Sequence, residues 1–141
     1  MKIYLDNCCF NRPYDDQSQA KIHIESQAKL CIQERVRSGK YDLVWSYILE
    51  YENAQNPFEM RRISILKWKA IAKEMVFSDD VLLNYARQLM LMGIKAKDAL
   101  HVACAVKAGC DVFLTTDLKL LNKPVTDIKL MNPVSFVIEF E

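Results

Sequence analysis

Glycine is scarce in this chain and histidine scarcer, with three and two respectively in 141 residues. Gly39, Gly93 and Gly109 stand alone, so neither a nucleotide P-loop nor a GxGxxG dinucleotide turn can be built. His23 and His101 are the only imidazoles, and no serine sits on a glycine-flanked elbow, so a serine-hydrolase triad has no support. No apolar run reaches the roughly 18 residues that a membrane span requires. No signal-peptide pattern opens the sequence, and the expected location is cytoplasmic. Cys8, Cys9, Cys31, Cys104 and Cys110 form no CxxC pair and no zinc spacing. They are expected as reduced thiols that pack like small hydrophobes. Cys8 and Cys9, read as neighbours at a strand end, would point to opposite faces and could not grip one ion together. A formal net charge of +1 supplies no overall field for nucleic acid, which leaves that task to local basic patches.

What is present is an ordinary globular composition, 51% hydrophobic and 26% charged, at a length that suits one domain spanning residues 1–141. The stretch from Lys95 to Asp117 is its centre. A helix nearly apolar all round opens beside Asp98 and stops at Gly109, and Val112-Phe113-Leu114 follows as a strand without alternation. Such a helix belongs inside a domain, and such a strand belongs in a parallel sheet covered on both faces. Upstream, Lys2–Leu5 reads as a first strand and Asn7–Gln17 as a loop. Ser18 is the expected N-cap of a long helix ending at Ser38-Gly39, and Leu43-Val44-Trp45 is a second strand. Helical segments follow after Ser46, over Phe58–Met75, and from the Ser78-Asp79-Asp80 cap to Met92. Ile128–Leu130 reads as an edge strand. The tail is open: Asn132-Pro133 looks like a helix start, whereas Val134, Phe136, Ile138 and Phe140 alternate as a strand would. Short connections in this order predict an α/β fold with right-handed crossovers and a mainly parallel central sheet.

The chemistry then rests on acids. Asp6 ends the first strand, Glu52 or Glu50 follows the second, Asp98 opens the central helix, and Asp117 follows the third strand. Carboxylates at such positions can converge although they lie far apart in sequence, because open α/β sheets gather function at the carboxyl ends of their strands. As bare anions within ~4–6 Å they would repel, and some would take up protons. A hard divalent cation such as Mg²⁺ or Mn²⁺ removes that penalty and suits oxygen ligands. A carboxylate cluster without Cys or His ligands therefore points to metal-dependent phosphodiester hydrolysis.

Four motifs carry a family resemblance: Ile3-Tyr4-Leu5-Asp6, Ser46 with Glu52 six residues on, Lys97-Asp98-Ala99-Leu100-His101-Val102-Ala103, and Leu114-Thr115-Thr116-Asp117. With them the chain resembles the PIN domain nucleases, which include VapC-type toxin ribonucleases. The resemblance implies a three-layer α/β/α sandwich and a Mg²⁺ or Mn²⁺ site held by Asp6, Glu52, Asp98 and Asp117. Thr115 would hydrogen-bond a metal-holding acid or water. Asn7 stands where the family usually has Thr or Ser. Glu50 rivals Glu52, and the two lie about 200° apart on a helix, so only one can face the site. The implied activity is cleavage of single-stranded RNA, and the implied partners are an antitoxin protein and a second copy of the chain in a homodimer. The alternative is a catalytically silent binding module of the same fold. His101 is expected as a locally hydrogen-bonded core residue, His23 as a surface residue, and Trp45 and Trp68 as packing residues. Lys95, Lys97, Arg12 and Lys119 are read either as cations flanking a phosphate chain or as scattered solvated charge.

Overall fold

Ile3, Tyr4 and Leu5 have no solvent exposure, and this continuous burial fixes Lys2–Leu5 as the centre of a sheet rather than its edge. The computed structural model describes residues 1–141. Its five strands are β1 (Lys2–Leu5), β2 (Asp42–Ser46), β3 (Glu74–Val76), β4 (Val112–Leu114) and β5 (Lys129–Met131). They run parallel in the order β3-β2-β1-β4-β5, with Ile3 opposite both Leu43 and Val112. Helices α1 (Asn7–Asn11), α2 (Ala20–Arg37), α3 (Tyr47–Ala54), α4 (Glu59–Ile71), α5 (Asp80–Leu91), α6 (Ala96–Lys107), α7 (Leu118–Leu121) and α8 (Pro133–Phe140) connect and cover the strands. Helix α2 packs on α8, and α5 packs on α6. The result is the three-layer α/β/α sandwich expected from the motifs, and its sheet is entirely parallel. No helix is long and apolar enough to cross a membrane.

The central helix is apolar because it is enclosed: Ala99, Val102, Ala103, Cys104 and Ala105 are at most 1% exposed. Gly109 ends it at φ +69°, a left-handed conformation that a side chain resists. Tyr4 stacks on Phe113 across the β1–β4 pair, with ring centroids 5.2 Å apart.

Three local expectations are corrected and one open reading is resolved. Asn7–Gln17 is not a plain loop, because Asp6 caps the short helix α1 and a 3-10 turn (Arg12–Tyr14) follows it. Cys8 and Cys9 therefore lie on a helix. Ser18 is not the cap of α2. Its hydroxyl donates to Asp16 Oδ1 at 2.7 Å, and the helix begins after Gln19. The helix predicted over Phe58–Met75 stops at Ile71, and Glu74–Val76 adds an edge strand beside β2, too short to carry a periodic signal. The tail resolves as a helix. Asn132 Oδ1 accepts from Val134 N at 2.8 Å, and Pro133 takes the first helical position. Pro133, Phe136, Val137 and Phe140 form its inward stripe at i, i+3, i+4 and i+7, and Ile138 is exposed, so the apparent alternation was incidental.

One buried carboxylate ties these pieces together. Glu25 on α2 is 2% exposed, lies 3.0 Å from Arg12 Nε in the 3-10 turn, and accepts from Asn132 Nδ2 at 2.6 Å at the start of α8. Glu34, also on α2, makes only an exposed i,i+3 pair with Arg37. Glu25→Ala should therefore cost about 2–3 kcal/mol, because it leaves Asn132 without its acceptor and the inner side of the Arg12 guanidinium without its counter-charge. Glu34→Ala should cost at most about 0.5 kcal/mol. Urea midpoints of the two variants measure the difference, and equal midpoints would contradict the role given to Glu25.

Candidate active site

The sheet extends from β1 to β2 and β3 on one side and to β4 and β5 on the other. The strand order thus reverses at the β1–β4 junction, the place where open α/β sheets leave a crevice beyond their carboxyl ends. Asp6 follows β1 directly, and its N–H donates to Leu114 O of β4 at 2.9 Å. As the cap of α1 it accepts from Asn7 N at 2.8 Å on Oδ1. Its Oδ2 accepts from Thr115 Oγ1 at 2.8 Å, and the same Thr115 oxygen accepts from Asp117 N at 3.1 Å. One fully buried hydroxyl therefore sets both Asp6 and the backbone that carries Asp117. Cys8 Sγ lies 3.4 Å from Asp6 Oδ2 and 3.4 Å from Thr115 Oγ1, which places this thiol beside the acid instead of in the core.

Asp117 caps α7, with Oδ1 accepting from Lys119 N at 2.9 Å. Asp98 stands in the first turn of α6, where the helix dipole favours a negative charge. Its carboxyl is half-buried, and its pKa is pushed up to about 6, first by burial and then by the charges of Asp6 and Asp117, with Glu52 adding and His101 opposing. Asp98 and Asp117 face a hollow of about 60 Å³ that Lys95, Lys119 and Lys123 also line. Arg12 is not part of this rim. It is committed to Glu25 and Asp15.

Glu52 reaches the crevice from α3, whose start is fixed by Ser46 Oγ accepting from Leu49 N at 3.2 Å. Glu52 Oε1 pairs with His101 Nε2, and Oε2 lies 3.5 Å from Asn7 Nδ2. Glu50 points elsewhere, to an exposed pair with Lys69. His101 is 1% exposed. Its Nε2 also lies 3.8 Å from Asp6 Oδ1, while its Nδ1 is 2.6 Å from Tyr4 Oη, itself 2.6 Å from Ser46 Oγ. Burial pulls the imidazole pKa down, but the Glu52 hydrogen bond and the charges of Asp6, Glu52 and Asp98 outweigh it and hold it above its ordinary value. Burial likewise pushes Glu52 up, and the His101 bond and charge, with Lys97 and Asn7, bring it below the usual range. Protonated, His101 donates from both nitrogens, to Glu52 and to Tyr4 Oη, and Tyr4 then donates to Ser46 Oγ.

His101, Tyr4 and Ser46 thus form a buried chain behind the acids. His101 is therefore more than the locally bonded core residue expected. The available signal was its place three residues after Asp98, on the same face of α6. His23 is exposed, and Trp45 and Trp68 are buried packing residues as expected. No three acidic, histidine or cysteine side chains are grouped at the spacing of a metal cage.

The raised pKa of Asp98, set by burial first and by neighbouring charge second, has a consequence for stability. A carboxyl whose pKa is raised on folding favours the folded state fully below its unfolded value near 3.9, and that contribution is lost as pH rises through about 6. In metal-free, EDTA-treated protein, Asp98→Asn should therefore be more stable than wild type at pH 7 by about 1–2 kcal/mol, after allowing for partial solvent screening. The advantage should shrink to nothing near pH 4. Thermal melts across that range test it, and a variant less stable than wild type at pH 7 would contradict the raised pKa of Asp98.

No family model matches the sequence, and no curated protein matches it. Solved structures do. The FitAcB structure from Neisseria gonorrhoeae is similar with a TM-score of 0.64 at 15% identity, covering 93% of this chain and 97% of that one. VapBC-1 from nontypeable Haemophilus influenzae is similar with a TM-score of 0.60 at 16% identity, covering 94% and 98%. VapBC2 from Rickettsia felis, bound to a DNA fragment from its promoter, is similar with a TM-score of 0.57 at 14% identity, covering 94% and 98%. Identity at this level carries the fold alone, and that fold, with its five-stranded parallel sheet between helical layers, is the PIN-like sandwich that the sequence motifs imply.

Proposed function

We propose that the chain is a metal-dependent endoribonuclease that cleaves single-stranded RNA, with Asp6, Glu52, Asp98 and Asp117 holding Mg²⁺ or Mn²⁺. The observation that carries this reading is the gathering of four carboxylates from four elements around the β1–β4 crevice, close enough for Asp98 to feel the other three. A double positive charge turns that repulsion into attraction, and the donor set, carboxylate oxygen throughout, fits a hard ion. Such ions, when bound, polarise phosphate oxygens and lower the pKa of water enough for it to attack phosphorus.

The surrounding residues have distinct tasks. Thr115 orients Asp6, and Asn7 and His101 orient Glu52. Lys95, Lys119 and Lys123 stand where phosphates flanking the scissile bond would pass, and they position the strand without reading its sequence. The hollow is small and recessed among helix starts, so an unpaired, bendable strand suits it better than a rigid duplex. With few cations in play, RNA binding should be weak and its salt dependence shallow. The motif resemblance to VapC-type toxins, together with the fold shared with VapBC and FitAcB chains, supports a toxin role with an antitoxin protein as partner.

An end-labelled hairpin RNA with a long loop tests the proposal. Wild type with Mg²⁺ or Mn²⁺ should cut within the loop and spare the stem, and EDTA should stop it. Asp117→Asn and Glu52→Gln should each slow cleavage about 100-fold or more, the scale of lost charge stabilisation at a reacting phosphate. Glu50→Gln should stay within about twofold, because it touches only Lys69. Intact RNA after incubation with folded, metal-loaded wild type would favour a silent binding module of the same fold.

A further inference from the structure

A buried cation without a carboxylate lies between α2 and α4. Lys29 is 3% exposed, and its Nζ sits over the faces of Phe10 and Trp68, 5.4 and 5.9 Å from their ring centroids. Burial pulls its ammonium pKa down to about 7. Cys9 opposes the shift and the Arg37 charge adds to it, and no acid compensates. One turn on, Gln33 is 4% exposed, and its Nε2 has no hydrogen-bond partner. Buried amides are ordinarily paired, so the unpartnered Gln33 nitrogen, beside an ammonium that no carboxylate neutralises, needs an explanation.

Both side chains line a cavity of about 410 Å³ between the 3-10 turn, α2 and α4. Arg37 and Lys67 also line it, and Trp68 and Tyr14 supply aromatic wall. No carboxylate belongs to the lining. Arg37 shares its guanidinium with Glu34, which lies outside the cavity. Lysines commonly bury their stems and carry the ammonium out to water. Lys29 buries its stem in this way, and its ammonium passes over the rings of Phe10 and Trp68 to face this cavity. A half-turn of the Gln33 amide exchanges its oxygen and nitrogen, a choice its neighbours leave open, and would offer two N–H donors beside the ammonium.

We propose that this cavity binds a phosphate monoester with a planar or apolar body. Lys29 and Gln33 take the phosphate oxygens, Arg37 and Lys67 supply further positive charge at the mouth, and Trp68 with Tyr14 covers the body. Three cations and no acid match a dianionic phosphate better than a monoanionic carboxylate. The volume falls in the range of small-molecule sites and exceeds what a bare ion fills. The site shares no residue with the acidic hollow and stands apart from the nuclease proposal.

Calorimetric titration of EDTA-treated protein with phenyl phosphate, benzoate and inorganic phosphate tests the inference, with wild type, Lys29→Met and Gln33→Leu compared. Phenyl phosphate should bind wild type one to one, more tightly than either of the others. Each variant should weaken it about tenfold or more, the loss expected for a charge-assisted hydrogen bond in an enclosed site. Circular dichroism and melting establish that each variant is folded. Lys29→Met should melt no lower than wild type, because it removes an uncompensated charge, and Gln33→Leu carries the test if the methionine variant does not fold. Absence of saturable binding by wild type, equal affinity in the folded variants, or tighter binding of benzoate would each overturn the proposal.

Discussion

Four carboxylates come close enough for Asp98 to feel the charge of the other three, and much of the local structure serves to hold them there. Backbone N–H groups at the starts of α1 and α7 bind Asp6 and Asp117, the Thr115 hydroxyl links them, and His101 draws Glu52 inward. Asp98 has the least help, and its raised pKa records its burial first and then the charges of Asp6 and Asp117. Helix starts and buried hydrogen bonds are suited to this work because they offer fixed dipoles that need not reorganise. The parallel sheet makes the arrangement possible, since its strands all end on the same edge.

Behind the acids, the His101–Tyr4–Ser46 chain joins the crevice to the core. Tyr4 stacks on Phe113 through its ring and bonds His101 through its hydroxyl. A change in core packing at β1 would therefore be felt at Glu52. Ser46 both caps α3 and receives the far end of the chain, so the rotation of the helix that presents Glu52, and turns Glu50 away, is coupled to the same hydrogen bonds.

The fold was largely legible because its central elements carry strong local signals: Val112–Leu114 without alternation, an apolar α6, and glycine stops where the chain turns with positive φ. Asp6, Asp98 and Asp117 could be singled out because strand ends and helix starts are recognisable in sequence. What could not be read was set by long-range contacts. β3 is three residues held by pairing with β2, α1 forms because Asp6 caps it, and the α8 stripe shows only once α2 is beside it. His101 looked like core because its partners lie 49 and 97 residues away. Lys29 and Gln33 were invisible as a pair of donors for the same reason: their isolation is a property of α4 and the 3-10 turn packed over them.

The central claim is that the clustered acids hold a divalent cation, and locating the ion tests it most directly. Crystals of wild type soaked in Mn²⁺ should show anomalous density in the β1–β4 crevice, within coordinating reach of Asp6, Asp98 and Asp117 at roughly 2.0–2.3 Å, with Asp98 ionised. Absence of that density at saturating Mn²⁺, or an ion seated only on other carboxylates, would contradict it.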